Sequence, residues 1–351
     1  VPDLRLGRLR LTRLAESPWL RAGLLVIAVG LAVYGLASQW TEVNAALDRL
    51  DAADIAGATI SAVAGLGCML LAWRALLADL GSPLPLPAAI RVMFVGQLGK
   101  YVPGAVWALA AQVELARDYD VPRRRSATAS LVGMAVTLVV GLIAAGVTLP
   151  LVSAHAVGRY WWVLAIAPLA ALCLHPAIIK FGLDLVLRVL RRAPLDGSVS
   201  RGGMTRALAW TTLGWLCYGA HAWFLISVFT GKGKGGGEVG GMFALSLGAY
   251  ALAWAVGFLI VFFPGGIGPR EIALIAVLAP VMPSASALVV ALASRVVMTI
   301  GDLAWAGAGL AIGRRGSRGS RGPKGPRGPR GASAPAEPAG RRPSPAPGPR
   351  A

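Results

Sequence analysis

Residues 239–294 read VGGMFALSLGAYALAWAVGFLIVFFPGGIGPREIALIAVLAPVMPSASALVVALAS. Apart from Arg270 and Glu271 the stretch carries no formal charge, and it is interrupted at Pro264-Gly265-Gly266-Ile267-Gly268-Pro269. Hydrocarbon tolerates neither a bare charge nor an unbonded backbone amide. A proline–glycine break with an acid and a base, set inside an apolar run, therefore has to line a polar recess within a helical bundle. This stretch puts the chain in a membrane.

The rest of the sequence agrees. Residues 22–41, 55–73, 126–158, 160–179 and 207–231 also lack Asp, Glu, Lys and Arg. Most of these runs suffice for a helix across a hydrocarbon core of roughly 30 Å, which takes about 20 residues. With 56% hydrophobic and 14% charged residues, an ordinary soluble domain is excluded. The fold class is an all-α polytopic membrane protein.

A net charge of +18 invites a nucleic-acid reading. The basic residues, however, crowd the segments between spans, as the positive-inside rule expects, and ten of the 34 lie from Arg314 onward. No nucleic-acid partner is expected. Cys68, Cys173 and Cys217 sit in apolar segments without C-x-x-C spacing and read as buried small hydrophobes. His155, His175 and His221 are scattered, so neither a metal nor a cofactor is expected.

Lysine and arginine counts orient the chain. Residues 1–21 hold five arginines and form a basic cytoplasmic segment leading into an uncleaved first span, 22–41. An acidic loop follows, then a span over 55–78. Residues 88–116 are apolar, yet basic residues flank both ends. A re-entrant hairpin turning at Pro103-Gly104 resolves this parity problem. Spans over 126–152, 160–180 and 207–230 come next, with Trp161 and Trp162 as outer interfacial anchors.

The parity problem returns at the C-terminus, and a second hairpin, 240–263 with 271–282, resolves it before a last span over 286–312. The expected architecture is about six full spans plus two re-entrant hairpins of opposite orientation, an arrangement like the inverted repeats of transporters. The integral domain covers 22–312. From Gly313 to Gly331 every third residue is glycine, and residues 313–351 are expected to be a disordered basic cytoplasmic tail attracted to anionic inner-leaflet lipid.

Three constellations carry the candidate chemistry. Lys100-Tyr101-Val102-Pro103-Gly104, with Trp107 a turn on, removes helix hydrogen bonding and adds a cation; the plain alternative is a snorkelling lysine beside a loop. Pro264, Gly265, Gly266 and Gly268 demand unusual backbone and lead directly to Arg270 and Glu271; the plain alternative is a tight external loop. Arg295 and Asp302, seven residues apart, share a face of the last span at roughly 10 Å. That is long for a direct pair, so each is expected to meet a partner elsewhere, with Glu271 a candidate for Arg295.

At these motifs the sequence resembles the lysylphosphatidylglycerol synthase transmembrane-domain family, which includes the flippase half of the multiple peptide resistance factors. The residues that carry the likeness are Gly99-Lys100-Tyr101-Val102-Pro103-Gly104 with Trp107, Pro264-Gly265-Gly266-Ile267-Gly268-Pro269-Arg270-Glu271, and Ser294-Arg295. It extends over roughly residues 15–312. The resemblance implies a multi-pass inner-membrane protein that handles polar or aminoacylated lipids. Larger relatives append an aminoacyltransferase, and nothing after Arg314 resembles one, so no enzyme activity is carried over.

The expectation is a lipid translocase or lipid-binding protein. Lys100, Arg270 and Arg295 would face an anionic headgroup, and Glu271 and Asp302 would hold those cations or receive an amine. Membrane phospholipids are the expected partners, with a homo-oligomer an open alternative. The rival readings are an enzyme acting on lipid-linked sugars or phosphates and a scaffold subunit for a partner enzyme.

Overall fold

The computed structural model describes residues 40–101, 107–152, 199–230, 239–260 and 268–319. A short helix α1 (Trp40–Leu47) precedes α2 (Ala52–Asp79); α3 (Leu86–Ile90) continues through a π turn at Arg91–Val95 and a 3-10 turn at Leu98–Tyr101. Then come α4 (Trp107–Arg117), α5 (Arg123–Val152), α6 (Arg201–Thr230), α7 (Val239–Leu259), α8 (Pro269–Leu278) and α9 (Ser284–Gly319). The described residues contain no strand. Five of these helices, α2, α5, α6, α7 and α9, are long and apolar enough to cross a membrane. The expected spans at 22–41 and 160–180, the anchors Trp161 and Trp162, and most of both termini lie outside the described residues.

Small residues set the core packing. Helices α2 and α6 run antiparallel in close contact. A Cβ on Gly57 would fall 2.6 Å from the Phe224 ring, and one on Gly65 2.6 Å from Tyr218. Both helix ends are tied at one face, where Asp79 accepts from the backbone N–H and the hydroxyl of Ser200, each at 2.6 Å. Ser200 Oγ in turn accepts from Gly203 N at 3.0 Å and caps α6. Arg74, Arg91, Arg117, Arg123, Arg125 and Arg201 gather around this face, where Arg125 donates to Gly81 O (2.9 Å) and Ser82 Oγ (3.2 Å). Arg117 and Arg123 hydrogen-bond Glu114 and hold its carboxyl below the usual carboxylate range.

The first hairpin enters and leaves at this basic face. Its arms touch backbone to backbone: a Cβ on Gly96 would meet Gln112 Cα at 2.8 Å, and one on Gly99 would meet Ala108 N at 2.8 Å. The rising arm climbs antiparallel to α9. A Cβ on Gly309 would lie 3.0 Å from Arg91 Cα, Phe94 stacks on Trp305 with centroids 4.9 Å apart, and Lys100 reaches Asp302. Gly301 lies against Leu66, near the middle of α2, so the hairpin stops at about mid-height. Buried Gln112 fastens the other arm by accepting from Ser130, which also accepts from Trp73 Nε1 at 3.1 Å.

The second hairpin opens from the opposite face. Met242, near the start of α7, lies beside Thr230, and Ala285 and Val289 pack with Ala46, Leu50 and Phe229. Its arms are unequal, in line with the expected bounds 240–263 and 271–282. Helix α7, with 21 residues, is about 31 Å long, whereas α8, with 10, is about 15 Å. Helix α9 runs to Gly319.

Replacing Gly96 with Leu should force the hairpin arms apart and cost about 1–3 kcal/mol or more, as overpacking does. Gly240, with open space around it, is the matched control. Thermal unfolding of the detergent-solubilised protein measures both. Equal melting temperatures for the two variants would mean the arms do not meet.

Candidate functional site

Helix α9 supplies two charged groups on one face, and each receives a broken hairpin. Lys100 Nζ donates to Asp302 Oδ2 at 2.5 Å, where Asp302 is almost wholly enclosed (6% side-chain exposure) and Lys100 retains 32%. Arg295 Nη1 lies 3.6 Å from Glu271 Oε1. The partner expected for Arg295 is therefore the one found, and Asp302 takes Lys100, 202 positions away in sequence.

The start of α8 explains its Gly-Pro-Arg-Glu order. Gly268 has φ +95° and ψ −71°, a backbone conformation for which a side chain is strained. Pro269 opens the helix, and Glu271 Oε2 reaches back to accept from Gly268 N at 2.7 Å. Glu271 thus caps α8 with one oxygen and faces Arg295 with the other.

Arg270 points the other way. Its guanidinium donates to the Tyr250 hydroxyl, and its Cζ sits 4.7 Å over the centroid of the same ring. A Cβ on Gly257 would lie 2.8 Å from Arg270 Cβ, so only glycine lets the arginine stem pass α7. Lys100 is within electrostatic reach of both Arg270 and Arg295. Three cations and two carboxylates therefore share the middle of the bundle.

Neutral groups that the sequence did not flag as functional back this cluster. Tyr250 is fully enclosed against Trp215, Tyr218 and His221, with centroids 6.5, 5.9 and 5.4 Å away. His221 Nδ1 lies 3.1 Å from Ala58 O, which can only accept, so Nδ1 carries a proton. Nε2 lies 2.9 Å from Ser294 Oγ. His221 is a satisfied core histidine, as the scattered histidines suggested. The signal for this backing was faint: Ser294 immediately precedes Arg295, and Tyr250 carries the lone phenol of its run.

Not every expected site residue joins the cluster. Trp107 stands at the start of α4 with about half its surface exposed (52%). Tyr101 ends the 3-10 turn after Lys100, its side chain outside the described set. Pro103, Gly104, Pro264, Gly265 and Gly266 lie outside the described residues. Among the described residues no group of three His, Cys, Asp or Glu is placed to hold a metal ion.

A bundle of apolar, span-length helices, with an ion-paired cluster at mid-height, defines a polytopic integral membrane protein. The chain belongs to the family described as the lysylphosphatidylglycerol synthase TM region, whose model matches residues 20–306. Membership places it among membrane proteins of lipid metabolism or translocation. No curated protein matches the chain.

Lys100→Met leaves the enclosed Asp302 carboxylate unbalanced, and breaking a buried pair this way costs about 3–5 kcal/mol. Asp302→Asn leaves a cation that is less enclosed than the carboxylate and should cost less. The double variant K100M/D302N should recover stability relative to K100M alone. Thermal unfolding of the four proteins checks this order; additive losses would show that the two groups are not coupled.

Proposed function

We propose that this protein is a lipid translocase: the headgroup of a polar phospholipid enters the charged cluster while its acyl chains stay in the bilayer. The observation that supports this best is the meeting of two hairpins from opposite faces on one helix. Their ion pairs, Lys100–Asp302 and Glu271–Arg295, meet that helix about two turns apart. Opening one contact at a time would expose the cluster to one leaflet at a time, which is what moving a headgroup across requires.

Apolar surface beside the ions fits such a substrate. Ile272, next to Glu271, and Val296, next to Arg295, are exposed at 64% and 58%, with Ile300 a turn further on. A charged cluster one residue behind an exposed apolar wall suits a molecule with a polar head and apolar tails. The reading is of a transporter and not of an enzyme, seated in the cell inner membrane with both termini cytoplasmic. The basic tail would rest on anionic lipid.

Arg295→Ala and Glu271→Gln should abolish lipid movement in reconstituted vesicles while expression persists; normal movement by both variants would sink the assignment. The orientation is tested separately. A cysteine at Gly240, on the face opposite the arginines, should react with an impermeant thiol reagent from the outside of cells. Labelling only after the cytoplasmic side is opened would reverse the topology.

A further inference from the structure

The charge count at mid-membrane does not close. Lys100 is matched by Asp302 and Arg295 by Glu271. Arg270 is matched by neither: among the described residues its polar partner is the un-ionised Tyr250 hydroxyl, with no carboxylate at ion-pair distance. The hairpin-tip stretches 102–106 and 261–267 hold no charged residue, nor do the apolar runs 22–41 and 160–179. One positive charge is therefore in excess at mid-membrane, where uncompensated charge is costly.

Nothing about α8 needs that charge. Arg270 occupies the first helical turn, where the macrodipole disfavours a cation. Yet its position is tightly defined: Gly257 gives its stem clearance, and the Tyr250 ring and hydroxyl hold its head. A guanidinium carries five N–H donors in a planar fork that matches phosphate oxygens two at a time. Tyr250 engages one nitrogen, so donors remain for an incoming anion.

We infer that Arg270 is the binding residue for a monoanionic phosphodiester, and that the site selects lipid headgroups of net charge −1. This rests on the lipid-handling reading of the same site and adds its charge preference. A single negative charge brings the filled cluster to neutrality. A zwitterionic headgroup leaves the excess in place, and an aminoacylated, cationic headgroup raises it. Phosphatidylglycerol has the required charge; phosphatidylcholine and lysyl-phosphatidylglycerol do not. The exposed Ile272 and Val296 beside the cluster favour a lipid over a free phosphate ion.

Native mass spectrometry of the full chain in detergent, titrated with each of these three lipids, tests the preference without any variant. Phosphatidylglycerol should bind about tenfold or more tightly than the other two. Arg270→Gln should bring it down to the level of phosphatidylcholine, whereas Arg270→Lys, which keeps the charge, should retain the ranking. Equal binding of the three lipids, tighter binding of lysyl-phosphatidylglycerol, or an unchanged ranking in Arg270→Gln would overturn the inference. Displacement of phosphatidylglycerol by millimolar inorganic phosphate would support the anion site but overturn its assignment to a lipid. A vesicle assay separates the two readings. Selective binding without movement keeps the charge preference and removes translocation. Equal movement of all three lipids keeps translocation and removes the preference.

Discussion

Taking an ionised group out of water costs several kcal/mol even after the protein relaxes around it, and five such groups occupy the middle of this bundle. Each needs a counter-charge, a strong hydrogen bond or water, and the fold is arranged to supply them. Arg295 and Asp302 stand on one face of α9, and neither can satisfy the other across two helical turns. The hairpins answer that need: Lys100 comes up from the basic face, and Glu271 comes in from the opposite one. The same constraint requires the breaks themselves, since an uninterrupted helix would deliver neither side chain to α9 from its own side.

Glycine makes the approach close enough. Gly96 and Gly99 bring the two arms of the first hairpin together, Gly309 lets it cross α9, and Gly257 lets Arg270 pass α7. None of these contacts tolerates a Cβ without shifting backbone or stem. Behind the charges, His221 bridges Ser294 Oγ and Ala58 O, and its ring packs edge-on against the enclosed Tyr250. Packed networks of this kind fix side-chain directions. Here the network fixes the aromatic seat of Arg270, which links packing on α2 and α6 to the chemistry at the start of α8.

Much of this was legible in the sequence, for identifiable reasons. Uncharged runs marked the helices because lipid excludes charge, so the bounds of α2, α5 and α6 fall within a few residues of those expected. The seven-residue spacing of Arg295 and Asp302 pointed to separate partners, because helical rise sets their separation. The partner of Asp302 was not legible: periodicity within one helix says nothing about a lysine 202 positions away. Tyr250 was missed because a phenol in an apolar run looks like ordinary core until the facing helix is known.

The central claim is that the charged cluster sits in the middle of the bilayer, and its depth can be measured directly. Ile300 faces outward on α9 between Arg295 and Asp302, so a nitroxide attached there reports their level without disturbing them. In lipid bilayers its relaxation by oxygen and by a water-soluble nickel complex should place it in the middle third of the roughly 30 Å hydrocarbon core. A reading at headgroup depth would put the ions at the membrane surface and contradict the account.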